Sequence, residues 1–185
     1  MAASAPPPRI VEADDSPATM QRVRALFVEY ARHLGHDLCF QQFDQELATL
    51  PGKYAPPDGV ILLAATGAFA SAGACDPFEP DRGSGDALAG CVALRRCGEP
   101  AERCAELKRM WVREPWRRTG LGRRLAEAAL ERARQLGYAR IRLDTLASMT
   151  PALALYRSLG FRDIPPYYPN PLDEVVYLEK TLWPS

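Results

Sequence analysis

One segment rich in arginine and glycine has the residue types of an anion-binding site. It reads Arg117-Arg118-Thr119-Gly120-Leu121-Gly122-Arg123 and lies between a predicted strand and the start of a predicted amphipathic helix. The first N–H groups of a helix have no partner within the helix and carry the positive end of its dipole, and glycine lets a ligand approach the backbone. The segment therefore predicts a cradle for a phosphate group.

The local charge around this cradle also favours an anionic ligand. Positions 103–142 contain twelve Lys or Arg residues and four Glu residues, a difference of +8. The whole chain has 23 Lys plus Arg and 23 Asp plus Glu, and this neutrality argues against nucleic acid or a membrane surface as a partner. A second interpretation stays open, in which the arginines are solvated and pair with Glu127 and Glu131 while the glycines only form a turn.

Two other phosphate-binding motifs can be compared with this segment. A Walker A loop requires Lys and then Ser or Thr after its last glycine, but Gly122 is followed by Arg123 and Arg124, which excludes that motif. A dinucleotide fingerprint requires a small residue where Leu125 stands and a short turn after the strand. Asp144 supplies its acidic residue, so a nicotinamide-type binder stays as an alternative.

Length and composition predict a single cytoplasmic domain. The chain has 185 residues, 47% of them apolar, which is enough for one core and too few for two ordinary domains. Its five cysteines form no C-x-x-C pair, so neither a metal site nor a disulfide framework is expected, and a reducing compartment is favoured. We expect a disordered leader over residues 1–8, the domain over 9–185 and a mobile loop over 67–87. The uncharged run 59–75 is interpreted as a buried strand entering that loop rather than as a membrane span.

Hydrophobic periodicity predicts the elements that would position the cradle. The expected order is strand, helix, helix, three strands, helix, strand, helix and two strands. Ser16 and Pro17 predict the start of the first helix, and Gly35 its end. The predicted strands to which we can assign bounds cover 9–13, 60–65, 88–95, 103–112, 140–146 and 174–182. The other predicted helices cover 41–50, 121–136 and 150–159.

The motif R-x-x-G-x-G at 117–122, with MWVREPW before it and ALYRSLGF after it, resembles the GCN5-related N-acetyltransferases, the GNAT family. The resemblance covers residues 104–182 directly, and the element order before them agrees with it. It implies an α/β, GNAT-like (acyl-CoA N-acyltransferase) fold in a single domain, with a mixed, mostly antiparallel sheet flanked by helices. It also implies an enzyme that transfers the acetyl group of acetyl-CoA to a primary amine by direct attack in a ternary complex.

The resemblance assigns coenzyme-binding roles to the cradle and to the strand before it. Backbone N–H groups of the cradle would bind the pyrophosphate of coenzyme A. The backbone of Met110 and Val112 would face the pantetheine arm and the thioester carbonyl, because that strand splays from its neighbour in this family. The full set is Met110, Trp111, Val112, Arg117, Arg118, Thr119, Gly120, Leu121, Gly122 and Arg123. Many relatives carry an asparagine that contacts the pantetheine where this chain has Met149, so we expect that contact to be lost or taken over by the neighbouring hydroxyl of Ser148 or Thr150.

The resemblance also implies two catalytic residues, Glu106 and Tyr156. Glu106 occupies the position of a general base in some members, and one is needed because an amine with a pKa near ~10 is protonated at neutral pH. Tyr156 matches the family tyrosine that donates a proton to the departing thiolate. The alternatives are that Glu106 is only the ion-pair partner of Lys108 and that Tyr156 is only a packed aromatic side chain.

Acceptor specificity in the family comes from the first two helices and the loop before the last strand. These segments supply Tyr30, His33, His36, Phe40, Tyr54, Tyr167 and Tyr168. We take Tyr30, His33, Tyr167 and Tyr168 as the expected contacts with a small-molecule amine, with a cation–π contribution of ~0.5 to 2 kcal/mol. The alternative is that Tyr30 belongs to the core and that His33 and His36 lie at a helix end without contacting a substrate. A non-catalytic acyl-CoA-binding sensor and a peptide or protein amine acetyltransferase stay as alternatives, and whether two chains form a homodimer stays open.

Overall fold

The strands and helices follow one another in the predicted order. The structure is a computed structural model and describes residues 6–35, 42–66 and 88–183. Its elements are β1 Arg9–Glu12, α1 Pro17–Leu34, α2 Phe43–Ala48, β2 Val60–Ala65, β3 Leu88–Cys97, β4 Cys104–Val112, α3 Leu121–Gln135, β5 Arg140–Leu146, α4 Thr150–Ser158, β6 Arg162–Ile164 and β7 Val175–Thr181. The predicted bounds of β2 and β5 are confirmed at both ends.

Helix α1 begins and ends at the residues that the sequence indicates. The Ser16 side chain accepts a hydrogen bond from the Thr19 backbone N–H at 3.3 Å, and Pro17 occupies the first turn. Gly35 ends the helix in the left-handed conformation, with φ of 67°, which glycine adopts without steric cost. Helix α4 differs slightly from the prediction, because Met149 is its N-cap and Thr150 is already helical.

The described strands form one seven-stranded sheet in the order β1-β2-β3-β4-β5-β7-β6. Neighbouring strands are antiparallel except β4 and β5, which are parallel. Helices α3 and α4 pack on one face, where Leu125 and Leu153 are buried, and α1 and α2 pack on the other, where Phe27 and Phe43 are buried. The predicted α/β architecture, a mixed and mostly antiparallel sheet flanked by helices, is confirmed.

A bulge in β4 separates this strand from β5. The two strands pair only from Cys104 to Glu106 within the described residues. Further along, the β3–β4 register shifts so that Arg109 and Met110 both stand opposite Val92, and Arg109 has a φ of 54°. A bulge of this kind bends its strand and increases its twist. It therefore turns β4 away from β5 and opens a gap in the middle of the sheet.

Two predictions about the chain's organisation touch residues outside the described ranges. The predicted loop 67–87 lies outside them, but β2 and β3 on either side of it pair antiparallel, as a hairpin requires. Within the predicted leader, Pro8 is buried and its carbonyl oxygen accepts a hydrogen bond from Arg124 at 2.8 Å, so residue 8 packs with the domain. No helix in the described part of the chain has the length and apolar character to cross a bilayer.

Candidate active site

The gap between β4 and β5 contains a cavity of about 120 Å³. Strand β4 contributes Met110 and Val112, α4 contributes Tyr156, α1 contributes Tyr30, and β5 contributes Asp144. The bulge and the end of the β4–β5 pairing place these residues around one space, although they come from four elements. Four of these residues, Tyr30, Met110, Val112 and Tyr156, were predicted from the sequence as site residues. Asp144 was not.

The side chain of Tyr156 is packed and also reaches the cavity. Its ring lies edge-on to Phe161, with centroids 5.6 Å apart, and its hydroxyl donates a hydrogen bond to the sulfur of Met110 at 3.4 Å. Burial raises the pKa of Tyr156 well above its ordinary value, so the phenol stays protonated at neutral pH. The two interpretations of Tyr156 given above are therefore compatible.

The start of α3 has the backbone arrangement of an anion cradle. Gly120 is the N-cap with φ of 84°, and the Arg124 N–H bonds to its carbonyl oxygen at 3.1 Å. The N–H groups of Leu121, Gly122 and Arg123 precede that first hydrogen bond of the helix. A Cβ at position 120 would meet no atom within 4 Å, so the space outside the helix start is open. These features fit a diphosphate.

Several side chains of the cradle segment stabilise the segment itself. The Arg117 Nε donates to the Val112 carbonyl oxygen at 3.0 Å, and its guanidinium lies 4.7 Å from the centre of the Trp111 ring. The Thr119 hydroxyl donates to the Trp116 carbonyl oxygen at 2.7 Å. These residues shape the loop, and its backbone is left to contact a ligand.

Much of the positive charge around the cradle is neutralised by ion pairs. The pairing of helix arginines with glutamates, which stayed open above, is present at 3.5 Å for Arg123 with Glu127 and at 3.3 Å for Arg134 with Glu131. Other ion pairs join arginines of the positively charged stretch 103–142 to distant elements: Arg109–Glu46, Arg113–Glu29, Arg132–Glu12 and Arg142–Glu179. Arg118, by contrast, is exposed beside Gly120 with a φ of 62°.

Glu106 is buried beside the cavity rather than in its lining. Its Oε2 lies 2.7 Å from the Arg95 Nε, and its Oε1 accepts a hydrogen bond from the Tyr167 hydroxyl at 2.9 Å. The Lys108 ammonium lies 3.5 Å from Oε1. The ion-pair alternative is therefore realised, with Arg95 as the nearest partner. Glu106 connects to the cavity through Lys108, which does line it.

Asp144 is a carboxylate that lines the cavity, a role that was not predicted from the sequence. Its Oδ1 lies 2.7 Å from the Lys108 ammonium, and its Oδ2 accepts a hydrogen bond from the Tyr168 hydroxyl at 2.9 Å. Burial raises the pKa of Asp144, but Lys108 and Tyr168 outweigh burial and hold it below the usual value. The feature of the sequence that could have indicated this role is an acidic residue near the end of a strand that neighbours β4.

The four expected acceptor contacts are only partly brought to the cavity. Tyr30 lines it. His33 is exposed near the end of α1 and its ring lies on Trp111, with centroids 4.8 Å apart. Tyr167 and Tyr168 hold the two carboxylates described above, and their rings pack edge-on at 5.3 Å. Their hydroxyl groups contact these carboxylates, and neither tyrosine is part of the cavity lining.

The other aromatic and histidine candidates do not extend the cavity. Tyr54 is buried under α2 and donates a hydrogen bond to Glu46 at 3.1 Å. His36 and Phe40 lie outside the described residues. Met149, which replaces the family asparagine, lines the cavity, and its sulfur accepts a hydrogen bond from the Thr145 hydroxyl at 3.6 Å.

Comparison with known proteins supports the same class of fold. The family model described as the GNAT acetyltransferase family matches residues 43–161. A Schizosaccharomyces pombe protein named as an uncharacterized N-acetyltransferase is 36% identical over 88% of this chain and 88% of its own length. A GNAT-family acetyltransferase structure from Staphylococcus aureus has a TM-score of 0.69 at 17% identity, covering 95% of this chain and 99% of that one. A Bacillus subtilis acetyltransferase solved in complex with CoA has a TM-score of 0.59 at 21% identity, covering 95% and 99%.

The chain belongs to the GNAT family and is an acetyl-CoA-dependent acyltransferase. The family uses acetyl-CoA as its acetyl donor. The open space at Gly120, the N–H groups at the start of α3 and the gap beside β4 fit that molecule.

Proposed function

We propose that the protein transfers the acetyl group of acetyl-CoA directly to a primary amine of a small molecule. The observation that carries this proposal is the cavity in the β4–β5 gap, which brings Met110 and Val112 together with Tyr156 and Asp144. One space then contains a strand edge that would hold the acetyl donor, a side chain that would donate a proton, and a carboxylate that would bind the acceptor. The proline-rich loop before β7, which contributes Asn170 and Leu172 to the cavity lining, favours a small acceptor over a protein tail.

The residues that would hold acetyl-CoA lie along one path. The first N–H groups of α3 and the exposed Arg118 would bind the pyrophosphate, where the helix dipole adds to the attraction. The backbone of Met110 and Val112 would hold the pantetheine arm and polarise the thioester carbonyl. This is possible because β4 no longer pairs with β5 there, which leaves backbone groups on that edge for a ligand besides the Val112 carbonyl oxygen that Arg117 contacts.

Asp144 would bind the acceptor as an ammonium ion at the opposite side of the gap. Attack requires the neutral amine, so a proton must first leave it. Glu106 remains the predicted base, and a proton would reach it by water past Lys108, which lies between Glu106 and Asp144. The amine nitrogen then bonds to the carbonyl carbon, the C–S bond breaks, and the Tyr156 hydroxyl gives its proton to the departing sulfur.

A thiol-release screen tests the proposal. The purified protein is incubated with acetyl-CoA and a panel of amino acids, polyamines, aminoglycosides and short peptides, and free CoA thiol is measured against an amine-free control. Release with a small amine, with the acetylated amine confirmed by mass spectrometry, supports the proposal. Release with peptides alone would overturn the small-molecule part. A rise in melting temperature with acetyl-CoA but no thiol from any amine would favour the non-catalytic sensor.

A further inference from the structure

Two cysteines face each other at the closed end of the β3–β4 hairpin. Cys97 is the last residue of β3 and Cys104 the first residue of β4, and they are direct partners in the antiparallel register. Partners of this kind project from the same face of a sheet, with side chains in contact. Both are free thiols, Cys97 partly exposed and Cys104 fully buried. Neither takes part in the acetyl transfer proposed above.

The surroundings give the two sulfurs different roles. A hydrogen bond from the Cys104 thiol, and secondarily the Arg142 guanidinium, lower the pKa of Cys97, although burial and Glu106 oppose this shift. The same hydrogen bond, together with burial, raises the pKa of Cys104. Thiolate character and exposure determine which cysteine reacts with an oxidant. Cys97 is therefore the sulfur placed to react first, and Cys104 the sulfur placed to resolve the product.

We propose that Cys97 and Cys104 form a peroxide-oxidation site that closes to a disulfide across the hairpin. The Cys97 sulfur attacks hydrogen peroxide, the O–O bond breaks, and Cys97 becomes a sulfenic acid with release of one water. The Cys104 sulfur then attacks the Cys97 sulfur, the S–O bond breaks, a second water leaves and the S–S bond forms. The two thiols lose two electrons in total, and these reduce one peroxide to two waters. A dithiol reverses the reaction.

The third cysteine among the described residues makes an internal control. Cys91 is fully buried, its sulfur donates to the Arg109 carbonyl oxygen at 3.3 Å, and burial raises its pKa to about 12. A buried thiol of this kind resists peroxide, and Cys91 stands opposite Trp111 rather than a second cysteine, so it has no oxidised sulfur beside it to attack. Peroxide should therefore consume two of these three thiols and leave Cys91 reduced.

Peptide mapping tests the pairing, because Arg103 separates the two cysteines. The experiment uses the full chain with Cys39→Ser and Cys75→Ser, treated with peroxide while folded, alkylated and digested with trypsin. We expect peptides 97–103 and 104–108 to be joined with the loss of two hydrogens, and a dithiol to separate them. A disulfide that includes Cys91, or links between two chains in place of this one, would overturn the proposal.

Single substitutions test the order of the two steps. Cys104→Ser should leave Cys97 as a sulfenic acid that dimedone captures, whereas Cys97→Ser should slow oxidation of Cys104 by about tenfold or more. Circular dichroism verifies that both variants are folded. If Cys97 in Cys104→Ser resists peroxide and dimedone while the protein is folded, the proposal is wrong. Thiol release from acetyl-CoA is measured separately, so failure here does not affect the proposed transferase function.

Discussion

Arg109 donates two hydrogen bonds to the Glu46 carboxylate, from Nε to Oε1 and from Nη2 to Oε2, each 2.8 Å long. Arg109 is the bulged residue of β4 with φ of 54°, directly before Met110, and Glu46 lies on α2. The guanidinium also lies 5.0 Å from the centre of the Phe43 ring. This pair therefore fixes the bulge that opens the cavity and ties it to the opposite helix.

Glu46→Gln should destabilise the protein by about 3 to 5 kcal/mol, because the substitution leaves a buried guanidinium without its counter-charge. The Arg109 side chain is only 2% exposed, so water cannot replace the lost partner. Urea unfolding followed by circular dichroism measures the change. The matched control is Glu127→Gln, whose pair with Arg123 is exposed and should change stability by less than about 1 kcal/mol. Equal effects in both variants would contradict the argument.

The same ion pair predicts a pH dependence of stability. Burial raises the pKa of Glu46, but the hydrogen bonds and charge of Arg109 lower it more, so the folded-state pKa lies below the usual value. A depressed carboxyl pKa stabilises the fold above the unfolded pKa of about 4.3, and this contribution is lost as pH falls through the folded value. The stability difference between wild type and Glu46→Gln should be constant near neutral pH and shrink below pH of about 4. A difference that grows on acidification would refute this.

Tyr156→Phe should slow thiol release by about 100-fold if its hydroxyl protonates the departing sulfur. Within the described ranges the hydroxyl donates only to the Met110 thioether, a weak acceptor, so coenzyme affinity and fold should change little. Steady-state thiol release and calorimetric titration with CoA separate the two effects. Tyr138→Phe is the matched control, since that buried hydroxyl donates to the Asp58 carbonyl oxygen away from the cavity and its loss should leave turnover unchanged. Unchanged turnover in Tyr156→Phe would remove the tyrosine from the mechanism.

The sequence predicts those parts of the fold and site that depend on neighbouring residues. Ser16 and Gly35 fix the ends of α1 through local hydrogen bonding and backbone conformation, and Gly120 fixes the start of α3 through its backbone conformation. The bounds of the three-residue strand β6 could not be predicted from the sequence, because so short a segment shows little alternation of polar and apolar residues.

The missed parts of the site depend on strand register and distant contacts. The residues next to Arg109 in the sequence do not predict the bulge, because it is stabilised by Glu46, which is 63 positions away. Likewise, the pairing of Glu106 with Arg95 follows from the β3–β4 register, and the exposure of Asp144 to the cavity follows from the end of the β4–β5 pairing. Side-chain periodicity does not contain this information, since it reports the face of a strand and not its partner.

Asp144→Asn should raise the KM for the amine by about tenfold with a smaller change in coenzyme affinity, because the variant loses the charge that would bind an ammonium ion. Steady-state kinetics with the best amine from the screen, together with CoA titration, measures both quantities. Asp163→Asn is the control, since that carboxylate forms an exposed pair with Arg157 outside the cavity lining. If Asp144→Asn weakens coenzyme and amine binding equally, its role is to support the gap and not to contact the acceptor.

Two substitutions at Gly120 separate the charge of the cradle from its backbone strain. Any side chain there adopts a φ of 84°, which costs about 1 to 2 kcal/mol in either variant, and its Cβ points into open space. Gly120→Glu places a carboxylate where the diphosphate would bind, whereas Gly120→Lys places an ammonium there. We expect the glutamate variant to lose about tenfold or more in CoA affinity relative to the lysine variant, with similar melting temperatures. The difference should shrink with added salt, because exposed charges are screened. Equal CoA affinities in the two variants at low salt would mean that the diphosphate binds elsewhere.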